Sequence, residues 1–280
     1  MDRFRDKIAF VTGAASKRGM GRAIATRLAQ EGANIIVADK YEAPPSLYAG
    51  DEVWGGLKEV VKDIETLGRQ AMYVKADVSV KAEVDSAINI ALKRFGWIDI
   101  LVNCAGIMSP DPKPLIQMSD EEWNRIISVN LTGSFQISRA VGREMVRRKK
   151  GGKILHISSV AGKKGVAASV PYVVSKFGVI GLVQSLALDM APYKINVNAI
   201  CPGHIMTNIS DERYRLQALA EGKNIEEVRT RKRKEMLTRI PMGYMAIAND
   251  VANLALFLVS SDADYMTGQA VNFSGGIWMS

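Results

Sequence analysis

The chain has 280 residues, 48% of them hydrophobic and 24% charged, with a formal net charge of +8. That apolar fraction suffices for one large core. No run of 18 apolar residues offers a membrane span, and the opening MDRFRDK before IAFV lacks the long apolar stretch of a secretory signal, so a soluble, cytoplasmic, single-domain protein is expected. Two well-separated cysteines, Cys104 and Cys201, and only two histidines argue against a disulfide framework and suggest no metal site. The densest basic stretch, RTRKRK at 229–234, has no interleaved aromatics and is flanked by Glu226, Glu227 and Glu235. It reads as a solvated helix face rather than a nucleic-acid surface.

In chain order, KIAFVT (7–12) is a short apolar run ending at Gly13, the pattern of a buried parallel strand. Met20, Ala23, Ile24 and Leu28 recur at helical spacing until Gly32, so a helix begins around Gly19 and Gly21. The free N–H groups and dipole at such a helix start favour a pyrophosphate, and glycines let a cofactor approach without a Cβ clash. NIIVAD (34–39) is a second strand whose last residue, Asp39, lies 18 residues beyond Gly21. A carboxylate there accepts both ribose hydroxyls of an adenosine and repels a 2′-phosphate, which argues for NAD over NADP.

Residues 40–56 form a Pro- and Gly-rich insertion, either a cover over the adenosine side or a surface loop. A helix (57–67), the strand QAMYVKAD (70–77), a helix (84–95) and the strand WIDILVN (97–103) follow. In the turn Asn103-Cys104-Ala105-Gly106 small residues permit close backbone approach, and Cys104 reads as a small buried residue rather than a nucleophile. A long helix (119–147) sets Asn130 among Trp123, Ile126, Ile127, Val129 and Leu131, where its amide needs a partner.

The strand GGKILHISS (151–159) ends in Ser158 and Ser159. After a Gly-rich loop, a helix running to Met190 carries Tyr172 and Lys176 on one face. A phenol titrates near ~10, so it handles protons at neutral pH only where a fixed cation favours the phenolate; Lys176 can be that cation. Ser159 is suited to hold the oxygen whose charge changes during reaction. KINVNAI (194–200) is the next strand, and Pro202-Gly203 breaks the chain before HIMT. Residues 208–245 read as helices over the strand ends (214–220 and 225–237), where substrate choice should lie; Arg213, Arg215 and Lys223 there either favour an anionic substrate or are solvated charges. A helix (251–259), the strand QAVNF and Gly275-Gly276 close the chain.

TGAASKRGMG (12–21), NCAG (103–106), Asn130 in SVNLTG, Ser159, Tyr172-x-x-x-Lys176 and PGHIMT (202–207) together resemble the short-chain dehydrogenase/reductase family over nearly the whole chain. The resemblance implies a Rossmann-type, doubly wound α/β fold: a seven-stranded parallel sheet in the order 3-2-1-4-5-6-7, with helices on both faces. It implies Asn130, Ser159, Tyr172 and Lys176 as catalytic residues, with Asn130 holding a water that links Lys176 to solvent. Implied cofactor contacts are Gly13, Arg18, Gly19, Met20, Gly21 and Asp39, then Asp77 and Val78 at the adenine, unless Asp77 only caps a helix. Asn103, Ala105 and Gly106 would lie behind the ribose. Tyr172 and Lys176 would meet the nicotinamide riboside, and Pro202, Gly203, Ile205 and Thr207 would border the nicotinamide.

Two features depart from the family pattern. Five residues rather than three separate Gly13 from Gly19, and Lys17 and Arg18 occupy positions associated with NADP unless they point into solvent. The resemblance further implies a homotetramer packed through the long helices. The tail resembles that of polyol and acetoin reductases, so a polyol or hydroxyketone is the expected substrate. The alternatives are an NADPH-dependent 3-oxoacyl thioester reductase and a non-catalytic dinucleotide-binding scaffold. Chain length disfavours the longer epimerases, and the Tyr172–Lys176 gap disfavours a fatty-acid enoyl reductase.

Overall fold

The computed structural model describes residues 2–45, 47, 51 and 53–280, and the remaining five positions of the 40–56 insertion lie outside the described residues. Among the described residues nine strands run in chain order: β1 (Ile8–Thr12), β2 (Asn34–Asp39), β3 (Ala71–Lys75), β4 (Ile100–Asn103), β5 (Gly152–Ile157), β6 (Ile195–Pro202), β7 (Ile205–Met206), β8 (Ala246–Ile247) and β9 (Ala270–Phe273). The helices are α1 (Met20–Gln30), α2 (Leu57–Glu65), α3 (Lys81–Phe95), α4 (Asp120–Ile127), α5 (Gly133–Arg148), α6 (Val170–Met190), α7 (Asp211–Glu221), α8 (Ile225–Leu237) and α9 (Ala248–Val259).

Seven strands form one parallel sheet in the order β3-β2-β1-β4-β5-β6-β9, the order expected for a doubly wound fold. The side-chain alternation of β1 shows why both faces must be covered. Ala9 and Val11 pack with α1, α2 and α9 through Ile24, Leu28, Leu57, Ile64, Val251 and Ala255. Ile8 and Phe10 point the other way and pack with α3, α5 and α6 through Val84, Ile88, Ile137, Val141, Val179 and Val183. Each strand is buried on both sides, so apolar residues run nearly continuously along it. The chain winds outward from β1 to β3, then restarts at β4 on the opposite side of β1. This reversal opens a crevice at the carboxyl ends of β1 and β4.

Two features were absent from the expectation. The helix predicted over 119–147 is two helices, α4 and α5, joined by a π-helical turn over Ser128–Thr132 that contains Asn130. Such a turn inserts a residue into the helical ladder and re-aims the side chains beyond it. In addition, β7 pairs with β8 in a separate two-stranded ribbon, which brings together the two ends of the segment holding α7 and α8. One stretch among the described residues, Val170–Tyr193, is long and apolar enough to cross a membrane by length and composition. It comprises α6, whose Ser175, Lys176, Val179 and Val183 are buried against the sheet and its neighbouring helices.

Candidate active site

The crevice holds two adjoining cavities. The first, of about 500 Å³, lies over the carboxyl ends of β1, β2 and β4 and is lined by Gly13, Gly19, Met20, Gly21, Asp39, Asp77, Val78, Ala105, Gly106 and Thr207 among others. The second, of about 750 Å³, lies between the β5–α6 loop and the α7–α8 segment, and Ser159, Tyr172, Gly203, Ile205 and Arg213 line it. Gly19, Lys17, Met108, Thr207 and Ile209 border both, so the two cavities meet.

The glycines of the first turn act first on the protein's own backbone. A Cβ on Gly21 would lie 2.4 Å from the Gly13 carbonyl oxygen, and one on Gly13, whose φ is +65°, would lie 2.8 Å from the backbone of Cys104 and Ala105. They let α1 sit tightly on the β1–β4 junction. Gly19 caps α1 with no side-chain acceptor, so the amino-terminal N–H groups of the helix have no side-chain cap. The two additional residues of this loop are braced: Ala15 N–H donates to Asp39 Oδ2 (3.0 Å), Trp54 Nε1 donates to Ala15 O (2.7 Å), and Ser16 Oγ donates to Asn208 Oδ1 (2.7 Å).

Lys17 is half-buried and Arg18 exposed, but neither is free in solvent. Both form ion pairs with the buried Asp51 of the insertion, at 2.9 and 3.3 Å. Pro44, Pro45 and Trp54 of the same insertion line the first cavity. At the end of β2, burial raises the pKa of the Asp39 carboxyl, opposed by backbone N–H donors from Ala15, Tyr41 and Lys40. Asp77 braces the turn between β3 and α3 and does not cap that helix, whose N-cap is Val80. Asp77 Oδ1 accepts from Ser79 N–H (2.9 Å) and Ser79 Oγ (2.6 Å), and Oδ2 pairs with Lys40 Nζ (2.9 Å). Burial opposes its charge, but these partners hold its pKa below the usual value. It nevertheless lines the cavity with Val78.

Three expected cofactor residues are placed otherwise. Asn103 lines neither cavity. Its Oδ1 accepts from Thr12 Oγ1 (2.6 Å), and its Nδ2 donates to Ser134 Oγ (2.9 Å) and lies 3.3 Å from His156 Nδ1. This buried network ties β1, β4, β5 and α5 together, and burial drives the His156 pKa to about 3 so that the imidazole stays neutral. Pro202 is buried within β6 and lines neither cavity, because the strand continues through it before Gly203 turns. Lys176 also lies behind the walls of both cavities. Its Nζ donates to Ile157 O (2.8 Å) and would sit 3.4 Å from a Cβ built on Gly106.

Asn130 finds its partners through the π-helical turn. Its Oδ1 accepts from Ile107 N–H (2.8 Å), while Nδ2 donates to Ile107 O (2.9 Å) and to Ser175 Oγ (3.0 Å). The side chain clamps the loop after β4 to α6. It does not aim into either cavity.

Tyr172 is half-buried and shares the second cavity with Ser159. Burial raises its pKa; a hydrogen bond with the Ser159 side chain and the positive charge of Arg213 lower it. Lys176 was the cation expected to favour the phenolate, and the charge of Arg213 acts in the same direction. Lys176 Nζ stands 5.7 Å from the tyrosine ring centroid, and burial lowers its own pKa to about 8. Ser159 Oγ also accepts from Ala161 N–H (3.1 Å), which fixes the hydroxyl at the end of β5. Burial pushes the Cys104 thiol up to about 12, in keeping with a structural cysteine.

Sequence reasoning missed several wall residues. Tyr214, Met108 and His204 line the second cavity, and Arg213 lies beside the tyrosine rather than in solvent. Their signal was only their place near the strand ends. The basic run on α8 is not wholly a solvated face either: Arg229 is largely buried, paired with Asp211 (3.2 Å) and Glu226, while Arg231 pairs with Glu221 (2.7 Å) and Lys232 with Glu235 (2.9 Å).

A parallel sheet with a glycine turn and uncapped helix start at its reversal point, beside a Ser-Tyr pair, defines a dinucleotide-dependent oxidoreductase acting at a carbinol or carbonyl carbon. A family model described as "Enoyl-(Acyl carrier protein) reductase" matches residues 13–277. The chain is 36% identical to a Staphylococcus aureus 3-oxoacyl-[acyl-carrier-protein] reductase FabG over 273 residues, 98% of each chain. It is 35% identical to the galactitol 2-dehydrogenase of Agrobacterium fabrum over 279 residues, 99% of this chain and 100% of the other. A crystal structure of a short-chain type dehydrogenase/reductase from Mycobacterium marinum superposes with a TM-score of 0.82 at 29% identity, covering 99% of this chain and 97% of that one. The protein belongs to the short-chain dehydrogenase/reductase family.

Proposed function

We propose that this enzyme interconverts a secondary alcohol, of the polyol or hydroxyketone class, and its ketone with NAD(H). The observation that carries the reading is the Ser159–Tyr172 pair in the wall of a cavity that opens onto the glycine-turn cleft. The first cavity fits a dinucleotide: an uncapped helix start for the pyrophosphate, Asp39 for the ribose, and the small residues Ala105 and Gly106 on its inner wall. A bound nicotinamide supplies the hydride acceptor or donor.

The chain's own residues handle the proton. In oxidation, Tyr172 as phenolate takes the hydroxyl proton as the carbinol hydride leaves and the C–O bond becomes double. Ser159 donates a hydrogen bond to the substrate oxygen and orients it. Lys176 and Asn130 support this pair from behind, Asn130 by anchoring the loop after β4 to α6. The preference for NAD is supported by the Asp39 carboxylate and by the tethering of Lys17 and Arg18 to Asp51, which offsets part of the positive charge that would attract a 2′-phosphate. A homo-oligomer is supported by the apolar residues left exposed on α5 and α6, namely Phe135, Val174, Phe177 and Leu188.

The near-equal likeness to a galactitol dehydrogenase and a 3-oxoacyl thioester reductase keeps the second activity as the alternative reading. Replacement of Tyr172 by Phe is the test. Turnover of secondary alcohols should vanish while nucleotide binding, followed by fluorescence titration, stays near normal. Comparable turnover in that variant refutes the assignment of the base.

A further inference from the structure

The basic side chains around the second cavity are not equivalent. Lys17 and Arg18 pair with Asp51, Arg22 with Asp63 (2.9 Å), and Arg229 with Asp211 and Glu226. Arg233 is exposed and sets its Nη2 on Met206 Sδ, with no ion pair among the described residues; what distinguishes Arg213 is its burial. Arg213 comes from the first turn of α7, is partly buried, and among the described residues forms no ion pair. One guanidinium nitrogen, Nη2, donates to the neutral Ser109 carbonyl (3.0 Å), while Nε–H is buried with no hydrogen-bond acceptor among the described residues.

An Arg stays charged at any pH the protein meets, so a partly desolvated guanidinium without a carboxylate is an uncompensated cost in the free enzyme. The Ser109 carbonyl anchors the group but neutralises nothing. The charge is also within electrostatic reach of the Tyr172 hydroxyl. A cation left unneutralised beside the acid-base residue, in a cavity that admits the substrate, is suited to a substrate that brings its own anion.

Resting on the oxidoreductase reading above, we propose that Arg213 receives an oxyanion of the substrate, so that the preferred substrate is a hydroxy or oxo compound with a carboxylate or phosphate near the reacting carbon. The planar guanidinium can offer such a group paired N–H donors, which orients the neighbouring carbinol toward Tyr172 and Ser159. The competing account is that Arg213 serves only to favour the tyrosine phenolate. That role is blind to the substrate's charge.

The experiment compares kcat/KM for matched alcohols with NAD and NADP: D-gluconate against D-glucitol, 3-hydroxybutyrate against 2-butanol, and glucitol 6-phosphate as the phosphate arm. The wild-type enzyme should favour the anionic member, and the gluconate and phosphate arms tell which oxyanion it takes. Arg213→Gln should raise KM for the anionic member, with a loss in kcat/KM about 30- to 100-fold greater than for its neutral partner. Arg213→Lys should recover part of the difference. Equal losses for both members of a pair, with a matching shift in the kcat–pH profile, would overturn the proposal and leave only the electrostatic role. A wild-type preference for the neutral alcohols would overturn it as well, yet leave the oxidoreductase reading standing. Absence of turnover with every alcohol and both nucleotides would refute the reading beneath it.

Discussion

Lys176 is buried to 5% exposure, and this burial lowers its pKa from 10.5 to about 8. In the unfolded chain the amine titrates at its ordinary value. Below pH 8 both states carry the proton and the folded state bears the full penalty of a desolvated ammonium. Between 8 and 10.5 the folded protein releases the proton first, so the unfolded state binds more protons and stability rises with pH. Raising the pH from 7 to 9.5 should therefore relieve about 2 kcal/mol of the penalty due to this residue. Lys176→Met lacks the titration. It also loses the hydrogen bond to Ile157 O, a cost common to both pH values. Urea unfolding of the cofactor-free wild type and variant, followed by tryptophan fluorescence at pH 7 and 9.5, isolates the effect. The stability difference should move by about 2 kcal/mol against the variant at the higher pH. A difference that stays constant with pH would refute the claim that this lysine is held as a disfavoured ammonium.

Other expectations follow from the same geometry. Gly21→Ala forces a Cβ against the Gly13 carbonyl at 2.4 Å and should cost about 3 kcal/mol, read as a fall of about 10 °C in thermal midpoint. Asn130→Ala strands Ile107 N–H and its carbonyl and should destabilise by about 2 to 4 kcal/mol, measured by urea titration. Ser159→Ala should lower kcat for alcohol oxidation by about 10² to 10³ and move the acidic limb governed by Tyr172 to higher pH, because the hydrogen bond that favours the phenolate is lost. Asp39→Ser should narrow the NAD over NADP preference at least about tenfold in kcat/KM, since the repelling carboxylate is gone.

Much of the molecule could be read along the chain. Apolar runs of strand length, helical spacing after each, and glycines at the turns have local causes, so the element order and the parallel sheet were legible, as was the common helical face of Tyr172 and Lys176. The π-helical turn at Asn130 was not, because its sequence is continuous with the helices on either side and the bulge follows from the clamp to Ile107 and Ser175. Nor was the β7–β8 ribbon: two-residue strands carry no periodicity.

The sequence by itself determined the sheet, the glycine turn at its reversal point and the presence of a Ser, a Tyr and a Lys in the right elements. Tertiary structure alone decided which polar groups those residues meet. It turned Asn103 into a core network, set Lys17 and Arg18 on Asp51, withdrew Lys176 behind Gly106 and brought Arg213 to the tyrosine. Local pattern fixes which face of an element is apolar. The partners of a long polar side chain, and hence its charge and pKa, depend on segments far away in the chain that only the packed fold brings within hydrogen-bonding distance.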